Sequence, residues 1–412
     1  MTYTTRTTCR VCGSANLTPL FSLGEQFVSD FVDADKVTAG VKCPIDIELC
    51  NDCTFVQQKH TAPQDFMYSR HYWYRSGTTA TMRAALRDVT AAAERCVKLQ
   101  AGDVVLDIGS NDGTLLRSYS VPWLVRVGCE PADNMRTYYK GTGEPFLIPE
   151  FWSAKVYDEY LTHGKKAKVI TACGMFYDLP DPNPFIADVA KVLAPDGVFI
   201  AQLMCLKQTL DMGDVGNFAH EHLEFYSLRS LWRLLNSHGL RPIKVEENDV
   251  NGGSYRIYAM KAESDLSLVD TTSLGEALDG ECNITNPSTY ADFFNRMEMN
   301  RNTCIYYIKS AVGCGKRVWV YGASTKGNVI LQYYGLDHRL IEAAADKSPE
   351  KHGKYTVGTG IPIVSEDEFR KAKPDFALVL PYAFREEFLQ RESEWRSNGG
   401  KFIFPLPQFE VV

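Results

Sequence analysis

The segment Ala219-His220-Glu221-His222-Leu223 places three ionisable side chains in a row and brackets them with apolar residues. Folding alone rarely requires such a cluster, because ionisable groups are seldom buried unless they are paired. Histidine changes charge near neutral pH and serves as a general base or acid. The cluster therefore predicts acid–base chemistry on a substrate.

Two other interpretations of the cluster stay open at this point. Histidines at such positions can be core residues without a catalytic role. In a strand, His220 and His222 would share one face and could hold a metal ion. Their spacing is not the HExxH pattern that puts two ligands on one helix face.

A glycine loop indicates where a nucleoside cofactor could bind. The apolar run from Val104 to Ile108 predicts a buried parallel strand, and Gly109 and Gly113 then allow a tight turn and the close approach of a ligand. The next predicted strand, 124–129, ends at Glu130, whose carboxylate can accept hydrogen bonds from both hydroxyls of a ribose. The loop lacks a full GxGxxG pattern, and a generic Rossmann strand for NAD is the alternative.

Two CxxC pairs near the N-terminus predict a zinc site. Each pair brings two thiolates to one side of a tight turn, and two pairs close a tetrahedron around Zn²⁺. Such a four-sulfur site is structural, because it leaves no open position for chemistry. Four unrelated buried cysteines are the alternative. The predicted metal ligands are Cys9, Cys12, Cys50 and Cys53.

The elements around the His-Glu-His cluster determine its position. The sequence predicts the fourth and fifth strands of a sheet at 168–172 and 198–203. A helix at 184–193 and a turn at 194–197 are predicted between them. Ser227 caps a following helix with an apolar leucine face. The cluster thus lies beyond the carboxyl end of the fifth strand, where open α/β sheets bind ligands.

In the last part of the chain, predicted helices and strands alternate as in a separate α/β domain. A predicted helix at 290–312 leads to the buried strand 316–321 and the turn Gly322-Ala323-Ser324-Thr325-Lys326-Gly327. Backbone N–H groups at the start of the next helix can hold a phosphate, to which Lys326 would add charge. A structural Rossmann domain without a ligand is the alternative.

Composition describes an ordinary globular protein. The chain has 412 residues, 45% hydrophobic and 23% charged, and its net charge of -7 argues against nucleic acid as the main partner. We expect no signal peptide, no membrane span, no membrane partner and a cytoplasmic location. The twelve cysteines are then thiols and metal ligands rather than disulfides. A monomer is expected.

The whole chain resembles the three-domain C-methyltransferases that act on nucleotide-linked deoxysugars in antibiotic pathways. The motifs that carry the resemblance occur in the same order in all three segments. Besides the four cysteines and the glycine loop, they are Leu23-Gly24-Glu25-Gln26, Tyr74-Arg75-Ser76-Gly77, Met175-Phe176-Tyr177-Asp178-Leu179, His220-Glu221-His222-Leu223-Glu224, Asn251-Gly252-Gly253-Ser254 and 321–328.

The resemblance implies the fold class, the cofactors and the substrate. It implies an α/β protein with a zinc-binding domain at 1–70, a class I methyltransferase Rossmann-like domain at 71–265 and a second Rossmann-like α/β domain at 266–412. The cofactors would be S-adenosylmethionine and structural Zn²⁺. The substrate would be a dTDP-linked 4-keto-6-deoxy hexose, held by its nucleotide in the last domain and methylated at C-3 or C-5.

The resemblance also implies roles for single residues. His222 would be the base that removes a proton beside the ketone, and Glu221 would orient it or bind the sugar. His220 would donate to the ketone oxygen or hold the pyrophosphate. The expected cofactor contacts are Tyr74, Ser76, Asp107, Gly109, Asn111, Glu130, Pro131, Met175 and Phe176.

The chain departs from the family pattern at one position. The family often has a tyrosine at the start of the cluster, where this chain has Ala219. Tyr177, Tyr226 or His220 would then have to stabilise the enolate. The departure keeps two alternatives open: an enzyme that only enolises or epimerises the sugar, and a protein that merely binds the cofactor. A methyltransferase for a non-sugar acceptor is a further alternative.

Overall fold

Each of the three predicted segments forms its own β-sheet in the computed structural model, which describes residues 3–68, 72–161 and 164–412. The predicted α/β fold class is confirmed by these sheets and the helices between them. The predicted domain limit at 70/71 lies outside the described residues. The domain limits therefore stay predictions.

The N-terminal region consists mainly of antiparallel strands. Its longest strands, β2 and β4, pair with each other, and β4 also pairs with β5. Cys50 ends β4, and Cys53 lies in the turn that follows it. The elements are β1 (Thr4–Thr5), β2 (Leu17–Phe27), β3 (Phe31–Val32), β4 (Lys42–Cys50), β5 (Val56–Gln58), β6 (His60–Thr61) and α1 (Gln64–Tyr68).

The central region contains a seven-stranded sheet with the expected strand-and-helix alternation. Its elements are α2 (Ala80–Cys96), β7 (Val104–Ile108), β8 (Val125–Cys129), β9 (Phe146–Ile148), α3 (Ala154–Tyr160), β10 (Ala167–Cys173), α4 (Pro182–Val192), β11 (Leu193–Met204), α5 (Leu206–Met212), β12 (Glu224–Phe225), α6 (Leu228–Ser237), β13 (Leu240–Asn248) and β14 (Ser254–Lys261). The sheet order is β13-β14-β11-β10-β7-β8-β9, and β14 is antiparallel to both of its neighbours.

Two details of this region differ from the sequence prediction. The predicted turn at 194–197 is part of β11, whose pairing with β10 shifts register between Ala167 and Val169. The stretch after β11, which the sequence assigns to no element, contains the short helix α5. The predicted helix after Ser227 is confirmed, and Ser227 forms a capping box with Ser230.

The short strand β12 leaves the central sheet and joins the N-terminal one. Glu224 pairs with Gln57 and Phe225 with Val56, so β12 is an edge strand of the sheet β12-β5-β4-β2. The His-Glu-His cluster comes directly before β12 in the chain. The cluster is therefore held at the contact between the N-terminal and central regions.

The C-terminal region forms a six-stranded sheet that is parallel except for its last strand. The strands of this region are β15 (Val318–Tyr321), β16 (Ala344–Asp346), β17 (Tyr355–Thr356), β18 (Ile363–Ser365), β19 (Phe376–Val379), β20 (Lys401–Phe404) and β21 (Glu410–Val411), and all but β17 belong to the six-stranded sheet. Its helices are α7 (Thr271–Gly280), α8 (Pro287–Gly313), α9 (Thr325–Tyr334), α10 (Glu366–Ala372), α11 (Arg385–Arg391) and α12 (Ser393–Ser397). The sheet order is β18-β16-β15-β19-β20-β21, and β17 pairs instead with β3 of the N-terminal region.

The longest helix of the described residues is α8, and none of the described helices is both long and apolar enough to cross a membrane.

Candidate active site

Three adjoining cavities lie at the carboxyl ends of the parallel strands, the usual ligand position in such sheets. The glycine-loop cavity, about 330 Å³, lies beside Gly109. The central cavity, about 220 Å³, is lined by His222. The outer cleft, about 380 Å³, lies at the ends of β15 and β16. Tyr74 lines all three cavities, so a ligand in one is a neighbour of a ligand in the next.

Most of the predicted cofactor contacts come together around the glycine-loop cavity. The predicted residues in its wall are Tyr74, Ser76, Gly109, Asn111, Glu130, Pro131 and Met175. Asn111 connects two of the segments, because its Oδ1 accepts from the Ser76 N–H at 2.9 Å and its Nδ2 donates to the Tyr74 carbonyl at 3.0 Å. These bonds explain how residues 74–76, from the segment before α2, reach the loop after β7.

Glu130 has the geometry expected of a ribose-binding carboxylate. Its Oε2 accepts from the Asn111 N–H and its Oε1 from the Ala132 N–H, both at 2.9 Å. Each oxygen keeps a second lone pair for a hydroxyl. Burial raises the pKa of Glu130, and the two N–H donors oppose that rise. The residues present therefore fit a nucleoside cofactor such as S-adenosylmethionine.

Two of the residues predicted to contact the cofactor, Asp107 and Phe176, do not line the glycine-loop cavity. The Asp107 carboxylate accepts a hydrogen bond from the Thr171 hydroxyl at 2.6 Å and does not line the cavity. Phe176 is fully buried and stacks on Tyr226, with ring centroids 5.1 Å apart. The Asp107 carboxylate and the Phe176 ring are buried in the core, whereas Gly109 and Met175 lie in the cavity wall.

We predict that Gly109→Ala weakens S-adenosylmethionine binding about 10-fold or more, because strained backbone and steric overlap each cost 1 kcal/mol or more. Gly109 has φ +69°, and an added Cβ would lie 2.7 Å from Cγ of Met175, a wall residue. Isothermal titration calorimetry measures the affinity. Gly143→Ala is the matched control, since Gly143 has φ +83° with nothing within 4 Å. Equal affinities for the two variants would contradict the prediction.

His222 lines the central cavity, and one hydrogen bond defines which of its ring nitrogens carries the proton. Its Nδ1 lies 2.7 Å from the Asn217 carbonyl oxygen, and because a carbonyl only accepts, Nδ1 carries the proton. The Nε2 atom is then the unprotonated nitrogen. Burial lowers the pKa of His222 to about 3, and the charge of Lys326 adds to this effect. The ring is therefore neutral near pH 7 and can accept a proton at Nε2.

His220 is directed away from all three cavities. Its Nε2 donates to the Cys43 carbonyl at 2.9 Å, and the side chain is buried against the N-terminal region. Burial lowers the pKa of His220 to about 4. His220 therefore lines none of the three cavities, and its contact with a ketone oxygen or a pyrophosphate stays a prediction that this placement does not support. The metal interpretation of the pair also fails, because the cluster is a turn and the two rings have different surroundings.

Two buried carboxyl groups are found in this part of the site: Asp178 lines the central cavity, and Glu221 comes directly before His222 in the chain. Oε2 of Glu221 and Oδ1 of Asp178 are buried and have no hydrogen-bond partner among the described residues. Burial raises the pKa of Glu221 to about 7. Burial and the nearby charge of Glu221 raise the pKa of Asp178 well above its usual range. The pair can accept hydrogen bonds from a polar ligand.

Only one of the two candidate phenols reaches the central cavity. Tyr177 lines it, and its ring meets the His222 ring edge-on with centroids 4.8 Å apart. Tyr226 is fully buried, and its hydroxyl donates to Glu224 at 2.8 Å. Tyr226 is thus excluded as a group that contacts a substrate.

Lys326 lies in a different place from the one that the sequence predicts. It belongs to the first turn of α9, but its Nζ points into the central cavity and donates to Asn217 Oδ1 at 2.6 Å. The sequence pattern predicts a phosphate contact for Lys326 and no role for Asn217. The available signal in the sequence is that Asn217 stands five positions before His222.

The N-terminal region holds the cluster by hydrogen bonds to its backbone. Nε2 of Gln58 donates to the carbonyls of Ala219 and His222, the second at 2.7 Å, and the Gln58 N–H donates to the Leu223 carbonyl at 2.9 Å. The Tyr68 hydroxyl donates to the Glu221 carbonyl at 3.3 Å. The conformation of the cluster therefore depends on the zinc-binding region.

The predicted zinc site is confirmed by the positions of the four cysteines. Their Sγ atoms all lie within 4.8 Å of one another, with Cys9 and Cys53 at 3.5 Å and Cys12 and Cys50 at 3.6 Å. Four sulfurs at 2.3 Å from a tetrahedral Zn²⁺ would be about 3.8 Å apart. The donor set fits a closed structural site, the one such cluster within the described ranges.

Comparison with known proteins matches all three regions. Residues 9–68 match a family model described as "Putative zinc binding domain", residues 79–245 one described as "Methyltransferase domain", and residues 249–407 one described as "C-methyltransferase C-terminal domain". The C-methyltransferase NovU of Streptomyces niveus is 30% identical over 406 residues, which cover 98% of this chain and 96% of NovU.

Solved structures resemble a smaller part of the chain. The match to the mitomycin 7-O-methyltransferase MmcR is 17% identical in sequence and covers 44% of this chain and 55% of the MmcR chain, with a TM-score of 0.36. The magnesium protoporphyrin IX methyltransferase ChlM from Synechocystis PCC 6803 is 13% identical and covers 43% of this chain and 79% of its own, with a TM-score of 0.32. The full-length sequence relative is therefore the match that decides the family.

Proposed function

The chain belongs to the family of S-adenosylmethionine-dependent C-methyltransferases, and from this premise we propose that it methylates a sugar carbon beside the ketone of a dTDP-linked 4-keto-6-deoxy hexose. The observation that carries the proposal is the position of the central cavity. It shares wall residues with the glycine-loop cavity on one side and with the outer cleft on the other, and His222 lines it. Such an arrangement suits a methyl donor, a sugar ring and a nucleotide in this order.

His222 is proposed as the general base. Carbon beside a ketone becomes nucleophilic only after it loses a proton, so a base must lie within hydrogen-bond reach of that proton. The bond from Nδ1 to the Asn217 carbonyl keeps Nε2 unprotonated and fixes the ring. When bound, S-adenosylmethionine supplies an electrophilic methyl group for the carbon that His222 deprotonates.

Glu221 and Asp178 are proposed to bind the sugar. Both carboxyl groups offer a buried oxygen without a partner, and Asp178 lines both the central and the glycine-loop cavity. An unsatisfied buried acceptor costs about 1–3 kcal/mol, which a ligand hydroxyl or amino group would relieve. The C-3 substituent of a deoxyhexose is such a group.

The nucleotide is proposed to occupy the outer cleft. The N-terminus of α9 points to it through Ser324 and Thr325, and Arg75 and Lys347 supply positive charge for phosphates. Aromatic side chains such as Phe384 offer faces on which a base can stack. If the C-terminal Rossmann-like domain bound no ligand, the positive charge and the aromatic side chains of this cleft would have no function.

The test is incubation of the purified enzyme with S-adenosylmethionine and a dTDP-4-keto-6-deoxy hexose in D₂O. Mass spectrometry should show the gain of one methyl group, and NMR should identify the carbon. Deuterium wash-in without methyl gain would favour an enzyme that only enolises or epimerises. Methylation of a small ketone without any nucleotide sugar would favour the non-sugar acceptor. Binding of S-adenosylmethionine without turnover of any acceptor would contradict the proposal.

A further inference from the structure

Lys326 presents an ammonium group to the central cavity from the C-terminal region. It is partly buried, and its Nζ contacts Asn217 Oδ1 at 2.6 Å and Met204 Sδ at 3.3 Å. Lysine has three N–H donors, and a thioether sulfur is a weak acceptor. At least one strong donor therefore stays available to a ligand in the central cavity.

Asn217 holds Lys326 and His222 at the same time. Its main-chain oxygen accepts from Nδ1 of His222, and its side-chain Nδ2 donates to the Thr209 hydroxyl at 3.0 Å. The bond to Thr209 orients the amide so that Oδ1 faces Lys326. Asn217 is fully buried, so neither bond competes with water. A base and an ammonium thus flank one space, as deprotonation beside a carbonyl requires.

Acidic groups surround Lys326 without forming an ion pair with it. Burial lowers the pKa of Lys326, and the charges of Asp214, Asp178 and Glu221 oppose this fall only in part. Asp214 is occupied by the Tyr382 hydroxyl at 2.7 Å and the Gly216 N–H at 3.0 Å. None of the salt bridges between described residues involves Lys326. The ammonium is therefore held in the site as a donor rather than used as a structural ion.

We propose that Lys326 donates a hydrogen bond to the ketone oxygen of the substrate and stabilises the enolate. It would replace the tyrosine that the family often has at the position of Ala219. This inference rests on the proposed function. His222 Nε2 takes the proton from the carbon beside the ketone, and the C–H electron pair forms the C=C bond. The π pair of the C=O bond moves to the oxygen, where the Lys326 ammonium meets the new negative charge. The carbon is then the nucleophile for the methyl group, and the proton on His222 leaves to solvent.

The test compares Lys326→Met, Lys326→Arg and the exposed control Lys309→Met, which lies in the same region on α8. We expect Lys326→Met to lower kcat for methyl transfer about 10²–10³-fold, the usual effect of losing one donor to a developing oxyanion. Lys326→Arg should retain part of the activity. S-adenosylmethionine affinity and the melting temperature should stay near wild-type values in all three variants.

Two further readouts separate a catalytic from a structural role. Deuterium wash-in at the substrate carbon should fall with kcat in Lys326→Met, because enolate formation itself is impaired. In Lys326→Ala, added methylammonium should restore a measurable part of the rate, as it would not if the residue only supported folding. Wild-type wash-in and turnover in Lys326→Met would overturn the proposal.

The experiment distinguishes a failure of the role of Lys326 from a failure of the proposed function. A wild-type enzyme that turns over no dTDP-4-keto sugar contradicts the substrate, whatever the variants do. The same variants are then compared on the ketone that the wild type does accept, because the ammonium acts on the carbonyl and not on the nucleotide. Equal rates of wild type and Lys326→Met on that ketone would overturn the role of Lys326.

Discussion

Replacing His222 by alanine is expected to lower kcat for methyl transfer by about 10²–10⁴-fold, the usual contribution of a positioned general base. The reason is that His222 lines the central cavity and its unprotonated Nε2 offers a lone pair to the proton of the substrate carbon. Stopped assays with mass detection measure kcat, and titration with S-adenosylmethionine should give wild-type affinity. Deuterium wash-in at the substrate carbon should be lost to the same degree.

The matched control for this experiment is His220→Gln. Glutamine keeps an N–H donor for the Cys43 carbonyl, the one hydrogen bond that His220 forms among the described residues. We expect a lower melting temperature but a kcat within a few-fold of wild type for this variant. A loss of activity in His220→Gln that equals the loss in His222→Ala would contradict the separate roles of the two histidines.

The pH dependence of the rate follows from the same geometry. A base must be unprotonated to act, and burial lowers the pKa of His222 to about 3, so its titration should not reduce kcat/KM between pH 5 and 8. An inflection near pH 7 would belong instead to Glu221, whose pKa burial raises to about 7. The variant Glu221→Gln should remove such an inflection while His222 remains in place.

Elements with local patterns are predictable from this sequence. The limits of the strand Val104–Ile108 are those expected, because an apolar run between turn residues specifies a strand without help from distant residues. The helix after Ser227 follows from its cap and its leucine spacing. The zinc ligands follow from two CxxC pairs, whose chemistry is also local.

Side-chain directions at the site depend on contacts that the sequence does not display. His220 and His222 look equivalent as neighbours, but a Cys43 carbonyl and an Asn217 carbonyl direct them differently. Lys326 stands in a pattern typical of phosphate binding, yet α9 packs so that its Nζ meets Asn217 from another region. Such contacts join residues far apart in the chain, and only the packed structure specifies them.

Removal of zinc is expected to unfold the N-terminal region and to abolish methyl transfer. Structural Zn²⁺ in small domains contributes on the order of 10 kcal/mol to folding, and the four-cysteine site here ties together the turn after Thr8 and the end of β4. That region also supplies Gln58 and Cys43, which hold the backbone and side chains of the His-Glu-His cluster. Because misplacing a catalytic group by about 1 Å can cost 10²-fold, loss of these bonds should lower kcat by at least that factor.

The decisive comparison is between activity and cofactor binding in the zinc-free protein. Most of the wall of the glycine-loop cavity comes from the central region, with Gln64 and Tyr68 contributed by α1, so S-adenosylmethionine should still bind after chelation or in Cys53→Ser. The control is Cys282→Ser, since Cys282 is exposed and is not part of the four-sulfur cluster. Metal content is measured by mass spectrometry and unfolding by calorimetry. Full turnover in protein shown to hold no zinc would contradict the view that this region positions the catalytic cluster, and loss of cofactor binding would mean that zinc supports the whole fold instead.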